Sequence, residues 1–418
     1  MRRLINLIAN VRVWGFAGIR SYARREINAV ILRRKLAKSH EKSRNCRPER
    51  GITVIGDITE RSGLSKTLRD FVLSLRDAGI PVQTFDTAWK PSIPAADIAD
   101  LVTPLEEFSL HRYSHIVMMY RSPLTKDMGR GHTVGRIVFH DSEHGIHSAT
   151  PFLRESGDDI IGMSDFNYRY FARSFPGQNV WKIVYPFRFR LANATPREAL
   201  RRKYGIGADD FAVFFNFDFG SYWRKNIPAA LTAFALAFKG DKSAKLVFKT
   251  KAAWENRRRE AEMMAKVEEL GIGQQFIHIA DYLPRADLDG LTGACDVYLS
   301  LHKSEGFGLG MAEAMSQGKP VVATNWSANT EYCHDDTAWC VPYSMVPILP
   351  YEYPVSMKEW ASADPEAAAK MLRDIRANPQ AAQRRALAGK EFMERHYSIA
   401  NFKESVDAFL DGRVESGR

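Results

Sequence analysis

The stretch DVYLSLHKSEGFGLGMAEAMSQGKPVVAT, residues 296–324, decides the fold. It opens on an apolar run of strand length, Asp296–Leu301, and passes through a glycine-rich loop. It then enters a helix-length segment over Leu309–Gln317 and closes on a second apolar run, Pro320–Thr324. Two short runs flanking one helix make a βαβ unit, which joins parallel strands. Glycines at Gly306 and Gly308 let backbone N–H groups approach a ligand closely. The start of the helix adds a partial positive charge at the same point, an arrangement suited to a diphosphate. Two carboxylates, Glu305 and Glu313, flank this anion site. Carboxylates repel phosphate, so they suit hydroxyl groups instead, such as those of a sugar and a ribose.

The same rhythm runs outward from this unit. Strands are expected at Phe211–Phe217, Ala244–Lys249 and Gln275–Ile279, with helices over Ile227–Phe238, Trp254–Leu270 and Arg285–Gly293. An earlier series has strands at Ile52–Ile55, Pro81–Phe85, His115–Tyr120, Arg136–His140 and Ile160–Met163, with a helix over Ser65–Ala78. A Pro/Arg-rich stretch near Tyr185–Arg190 separates the two series. The expected class is α/β: two Rossmann-like domains facing a cleft, preceded by a basic helical extension. The boundaries expected are an extension and linker over 1–50, an N-terminal domain over 51–187, a C-terminal domain over 188–395 and a helix over 396–418. That last segment has helical spacing at Phe402, Val406 and Phe409, and either caps its own domain or crosses back to the first. In open α/β sheets a ligand sits beyond the carboxyl ends of the strands, and the glycine-rich loop falls at such a place.

With 418 residues, 45% of them hydrophobic and 26% charged, the chain can bury more than one core. Its formal charge of +10 is not spread evenly. Residues 1–50 hold 14 Lys and Arg against 3 Asp and Glu, a net of +11, which leaves about −1 for all that follows. A globular nucleic-acid binder carries its basic surface on the folded domain, so nucleic acid is set aside as a partner. Cys46, Cys295, Cys333 and Cys340 show no spacing suited to zinc or to a disulfide framework, which fits a cytoplasmic setting. The apolar stretch Leu4–Ile19 is too short and too polar to span a bilayer and lacks a signal-peptide cleavage pattern. Leu4, Leu7, Ile8, Val11 and Trp14 recur at helical spacing before basic clusters at Arg24-Arg25 and Arg33-Arg34-Lys35. Residues 1–45 therefore suit the anionic inner face of a membrane, or form a solvated helix or one that packs on the body of the protein. Ser39–Arg50 reads as a linker.

Glu305-x7-Glu313, followed by Ala314-Met315-Ser316-Gln317-Gly318-Lys319-Pro320-Val321-Val322, resembles the signature of retaining family-4 glycosyltransferases, which have the GT-B fold. By that resemblance the donor is a nucleotide sugar, with UDP- and GDP-sugars the leading options, and no bound cofactor or metal is implied. Glu305 would contact the donor sugar and Glu313 the ribose hydroxyls. The backbone of Gly306, Phe307, Gly308 and Leu309 would meet the sugar and diphosphate. Lys225 aligns with the family's phosphate-binding lysine. Where the family often has an arginine five residues earlier, this chain has Gly220, so Arg224, Ser221 or Lys249 is left to supply the second contact. His140, at the end of the Arg136–His140 run and followed by Asp141, is similar to the family's strand-end active-site histidine. A structural role is the alternative in a region that also holds His132, His144 and His147. Gly63, after Ser62, resembles a reduced glycine-rich loop beside the diphosphate and acceptor, or marks a plain turn. Glu331 closes a loop that would border the nucleotide. The resemblance implies a glycan or lipid-linked acceptor in surface-polysaccharide or lipopolysaccharide synthesis. A sugar phosphorylase of the same fold and a non-catalytic scaffold of a polysaccharide assembly complex are the alternatives.

Overall fold

The computed structural model describes residues 30–41, 45–60, 62–88, 93, 99–119, 131–139, 145–146, 150–187, 194–250, 257–281, 283–349, 352 and 356–413. The chain forms two compact units, one running to Arg188 and resumed from Tyr397, the other spanning Phe189–His396. Among the described residues no helix is long and apolar enough to cross a membrane.

The first unit is built on a six-stranded sheet of β1 (Glu49–Gly56), β2 (Val82–Asp86), β3 (Tyr113–Met119), β4 (Thr133–Ile137), β5 (Asp159–Gly162) and β6 (Val180–Lys182). Its order is β2-β1-β3-β4-β5-β6, with every pair parallel. Ile52, Val54 and Ile55 of β1 are fully buried, as expected of a parallel strand covered on both faces. The fourth strand starts and ends three residues before the Arg136–His140 run. Pairing continues through the Val138 N–H, which donates to the Ile161 carbonyl at 3.1 Å.

Helix α1, residues 30–41, precedes this sheet. It turns Leu32 and Leu36 into a cluster with Phe85, Phe108 and Leu110, while Arg33, Arg34, Lys35 and Lys38 face solvent. Ser39 Oγ accepts the Leu110 N–H at 2.9 Å, so the start of the expected linker is instead the docked end of a helix. Helix α2 (Gly63–Asp77) is capped by Ser62 and buries Leu68, Phe71, Val72 and Leu75 at helical spacing.

The second unit repeats the plan with β7 (Phe211–Phe217), β8 (Ala244–Thr250), β9 (Phe276–Ile279), β10 (Val297–Ser300), β11 (Val321–Thr324) and β12 (Trp339–Val341). The order is β9-β8-β7-β10-β11-β12, again parallel throughout. Phe214, Phe215, Phe248 and Tyr298 fill its centre with edge-to-face contacts. Its helices include α3 (Ile227–Phe238), α4 (Arg285–Ala294) and α5 (Leu309–Ser316), with Pro365–Ala377 and Pro379–His396 at its carboxy-terminal end. An antiparallel hairpin unforeseen in the sequence, β13 (Tyr343–Pro347) with β14 (Glu359–Ala363), buries Trp360 completely. Helix α6 (Ile399–Leu410) lies in the first unit and packs Phe402 edge-on against Phe71, with ring centroids 5.4 Å apart.

Candidate functional site

In the second unit the strand order reverses between β7 and β10: β8 and β9 lie to one side, β11 and β12 to the other. Such a switch point opens a crevice between the loops that leave the two central strands. The β7 loop carries Arg224 and Lys225, and the β10 loop carries His302 to Gly308.

The two loops meet at Glu305. Its carboxylate Oε1 lies 2.5 Å from Lys225 Nζ and 3.1 Å from an Arg224 guanidinium nitrogen. Arg224 also donates to the Ser304 carbonyl at 2.9 Å and to Ser221 Oγ at 3.2 Å, while its own carbonyl accepts the Lys303 N–H at 2.7 Å. Burial by itself would raise the Glu305 pKa, but the charge of Lys225, then that of Arg224, outweighs it and holds the carboxyl down at about 2. Two cations against one carboxylate leave a positive excess where an anion would sit.

The main chain of Glu305 is fixed too. Its N–H donates to Ser327 Oγ at 2.9 Å, and its carbonyl accepts from Ala328 at 3.2 Å. Ser327 adopts φ 76°, a conformation rarely taken by a residue with a side chain. Beneath lies His302, fully buried, which burial keeps below its ordinary pKa and so neutral. Its Nδ1 accepts from Ser300 Oγ at 3.1 Å, and its Nε2–H donates to Asn329 Oδ1 at 2.9 Å.

At the start of α5, Gly308 has φ 91°, and a Cβ there would stand 2.4 Å from Met311 Cε and 2.5 Å from the Tyr332 hydroxyl. That hydroxyl donates to the carbonyls of Phe307 and Gly308 at 2.6 and 3.0 Å, holding the turn into the helix. At Gly310 a Cβ would come within 2.1 Å of the Tyr298 hydroxyl, which donates to Asn216 Oδ1 at 2.6 Å. The helix start is thereby pressed against the two central strands. The charges of Glu305 and Glu313 both act on Tyr298, whose pKa burial and those carboxylates push far up.

Glu313, on α5, is half-buried and pairs through Oε1 with Arg285 Nη2 at 2.8 Å. Phe307 is buried and Leu309 half-buried at the turn. Lys249, at the end of β8, donates to the adjacent Thr250 carbonyl, and burial lowers its pKa. Glu331 ends a short 3-10 turn, Ala328–Glu331, half-buried. At the position of the absent arginine, the Gly220 N–H donates to Asp218 Oδ1 at 2.7 Å. Gly63, in the first unit, begins α2, and its carbonyl accepts from Thr67 Oγ1 at 3.1 Å. His140 and Asp141 lie outside the described residues, as does the Leu4–Trp14 segment. His132 makes structural bonds, its Nδ1 donating to the Tyr113 carbonyl at 3.0 Å.

The structure thus gathers Arg224, Lys225 and Glu305, and sets Glu313 on the helix that follows. It adds His302, Ser327 and Arg285, none of them expected from the sequence as a site residue. His302 had a signal, since it sits at a strand end within the motif. Arg285 had none, because its partner is 28 positions away on another helix.

Residues 196–345 match the family model described as glycosyl transferases group 1. Among curated proteins none matches the chain. Similar solved structures include HepE from Anabaena, in complex with UDP and glucose, at 17% identity and a TM-score of 0.61, covering 87% of this chain and 100% of that one. Sucrose-phosphate synthase from Thermosynechococcus elongatus gives 16% identity and a TM-score of 0.63, covering 88% and 100%. A glycosyltransferase from Rickettsia africae gives 13% identity and a TM-score of 0.64 with the same coverages. At these identities the likeness establishes the fold, a two-domain α/β architecture of the GT-B kind.

Proposed function

We propose that this chain is a retaining glycosyltransferase that moves a sugar from a nucleotide-sugar donor to a glycan or lipid-linked glycan acceptor. The observation that carries this is the convergence of Lys225, Arg224 and Glu305 at the switch point, against the Gly308-capped start of α5. The two cations and the helix N-terminus take the charge of the diphosphate as it leaves, without calling on a metal ion. Arg224 fills the place of the arginine missing at Gly220. The glycosyl transferases group 1 match over 196–345 supports the donor class, and HepE structures holding UDP and UDP-glucose favour UDP as the base carrier.

In this scheme Glu305 is ionised and positions the donor sugar through its hydroxyls; it does not attack the anomeric carbon. The acceptor hydroxyl enters on the face the nucleotide leaves, and a donor phosphate oxygen takes its proton. Glu313 receives the ribose hydroxyls, and Gly63, Lys249, Glu331 and His140 border the donor or acceptor.

The acceptor proposed is membrane-borne, with the enzyme peripheral on the cytoplasmic face. The outward Arg33, Arg34, Lys35 and Lys38 of α1 support this, because anionic lipid attracts such a stripe. Since Leu36 is buried, removal of residues 1–45 would disturb the core. Reversing Arg33, Arg34 and Lys35 to Glu tests the point without that damage, and unchanged sedimentation with phosphatidylglycerol vesicles would refute it.

The donor assignment is tested by thermal unfolding with UDP, GDP, dTDP and ADP, comparing wild type with Glu313→Ala. A ligand that binds only the native state raises its unfolding temperature. A rise with one nucleotide that the variant loses is expected; no rise with any would favour the scaffold alternative. Product analysis with and without phosphate separates transfer from phosphorolysis.

A further inference from the structure

Glu313 is gripped from a different helix. Arg285, the first residue of α4, places Nη2 2.8 Å from Glu313 Oε1. The same guanidinium is fixed on its other edge by Asp289, one turn along α4: Nε donates to Asp289 Oδ2 at 2.8 Å, and Nη2 lies 2.7 Å from Oδ1. Asp289 is buried, so the anchor itself has little freedom. Burial would favour loss of the Arg285 proton, but Glu313 and Asp289 outweigh it and keep the guanidinium charged. A planar fork bound on two edges is a rigid donor.

Resting on the donor assignment above, we infer that Arg285 is a positioning residue that makes the site prefer a ribonucleoside diphosphate over its 2′-deoxy counterpart. By pairing with one oxygen of Glu313 it restricts how the carboxylate turns to receive two neighbouring ribose hydroxyls. An ionised carboxylate is an acceptor only, and a vicinal diol offers two O–H donors pointing the same way. Both bonds form at the least cost when the carboxylate is oriented in advance. A 2′-deoxy ligand forfeits one of them whatever Glu313 does. Affinity for the ribonucleotide therefore depends on Arg285 more than affinity for the deoxynucleotide.

The test is calorimetric titration of the full chain with UDP and 2′-deoxy-UDP, for wild type, Arg285→Ala, Arg285→Lys, Asp289→Asn and Glu313→Gln. If GDP is the better ligand, the pair is GDP and 2′-deoxy-GDP. Wild type is expected to favour the ribonucleotide about tenfold, the worth of one charge-assisted hydrogen bond. Arg285→Ala and Glu313→Gln should bring that ratio near one, chiefly by weakening the ribonucleotide. Arg285→Lys and Asp289→Asn, which keep a cation near Glu313, should fall between and serve if the alanine variant does not fold. A folded Arg285→Ala protein with the wild-type ratio overturns the inference and leaves the donor assignment standing. Equal weakening of both ligands also overturns it, since that pattern belongs to a phosphate contact or a general structural role. Wild type binding neither UDP nor GDP would remove the donor assignment, and the inference with it.

Discussion

Glu305 carries a proton in acid and loses it at a lower pH when folded than when unfolded. Its pKa falls from 4.5 to about 2, so the ionised form stabilises the folded protein above pH 4.5. That contribution disappears as the pH falls through 4.5 toward 2. Glu305→Gln should cost about 3 kcal/mol at neutral pH, because Lys225 and Arg224 are left facing a neutral group. The deficit should shrink toward nothing near pH 2, as denaturant titrations at several pH values would record, and sugar transfer should be lost at every pH. Gly308→Ala forces a side chain into a left-handed conformation and into Met311 and Tyr332. A loss of about 2–4 kcal/mol is expected from strain and overpacking together, with nucleotide binding abolished, both measurable on the purified variant. At this scale the sequence was informative where chemistry and local spacing coincide, as in Glu305, Gly308 and Lys225 beside strand ends. It was silent where side chains reach across elements. Ser327 and Arg285 act on Glu305 and Glu313 from distant positions that no spacing encodes.

Helix α1 shows how an element can be read in composition while its packing stays open. Its basic residues were visible, but Leu32, Leu36 and Ser39 were too few to reveal a docked face, and the polar residues beyond them suggested a linker. A row of histidines completes the docking. His40 Nδ1 lies 2.8 Å from His111 Nε2, and His111 Nδ1 lies 2.5 Å from His132 Nε2. Because the Tyr113 carbonyl only accepts, His132 must carry its proton on Nδ1. Each imidazole along the row then donates inward, and His111 and His132, which must also accept, are neutral. Burial, with the neighbouring His132 and His40, lowers the His111 pKa to about 4 from 6.5. A depressed histidine favours the folded state when neutral. Its contribution is whole above pH 6.5 and is lost as the pH falls toward 4. His115, lowered to about 4 mainly by burial, acts in the same direction. Stability should therefore drop through this window, and His111→Phe should make the drop shallower in pH-dependent denaturation. Leu36→Ala, which empties a fully buried site, should cost about 2–4 kcal/mol at any pH.

For the whole molecule, two rounds of strand and helix were legible because parallel strands buried on both faces appear as short apolar runs. The hairpin Tyr343–Pro347 with Glu359–Ala363 was not, since its first strand is largely exposed and offers no such run. The last helix had two equally good homes in the sequence, as an amphipathic face does not name its partner. In the structure Phe409 meets His115 and Trp181 of the first unit, with ring centroids 4.9 and 5.4 Å away. Arg50 reaches Asp407 and Asp411 at 3.0 and 2.9 Å. A chain stopped after His396 loses the buried Phe402, Val406 and Phe409. Limited proteolysis of that chain should degrade the first unit while a fragment near 189–396 persists; equal resistance of both would show that the helix is dispensable.

The placement of α6 also sets an order of events during translation. The first unit leaves the ribosome early, yet the helix that covers Phe71 and Trp181 emerges only after every residue of Phe189–His396 has been made. For that interval the nascent chain displays an uncovered aromatic groove, while the second unit has all of its own strands and can close first. Slow elongation through the second unit would lengthen the exposure and the demand for a chaperone.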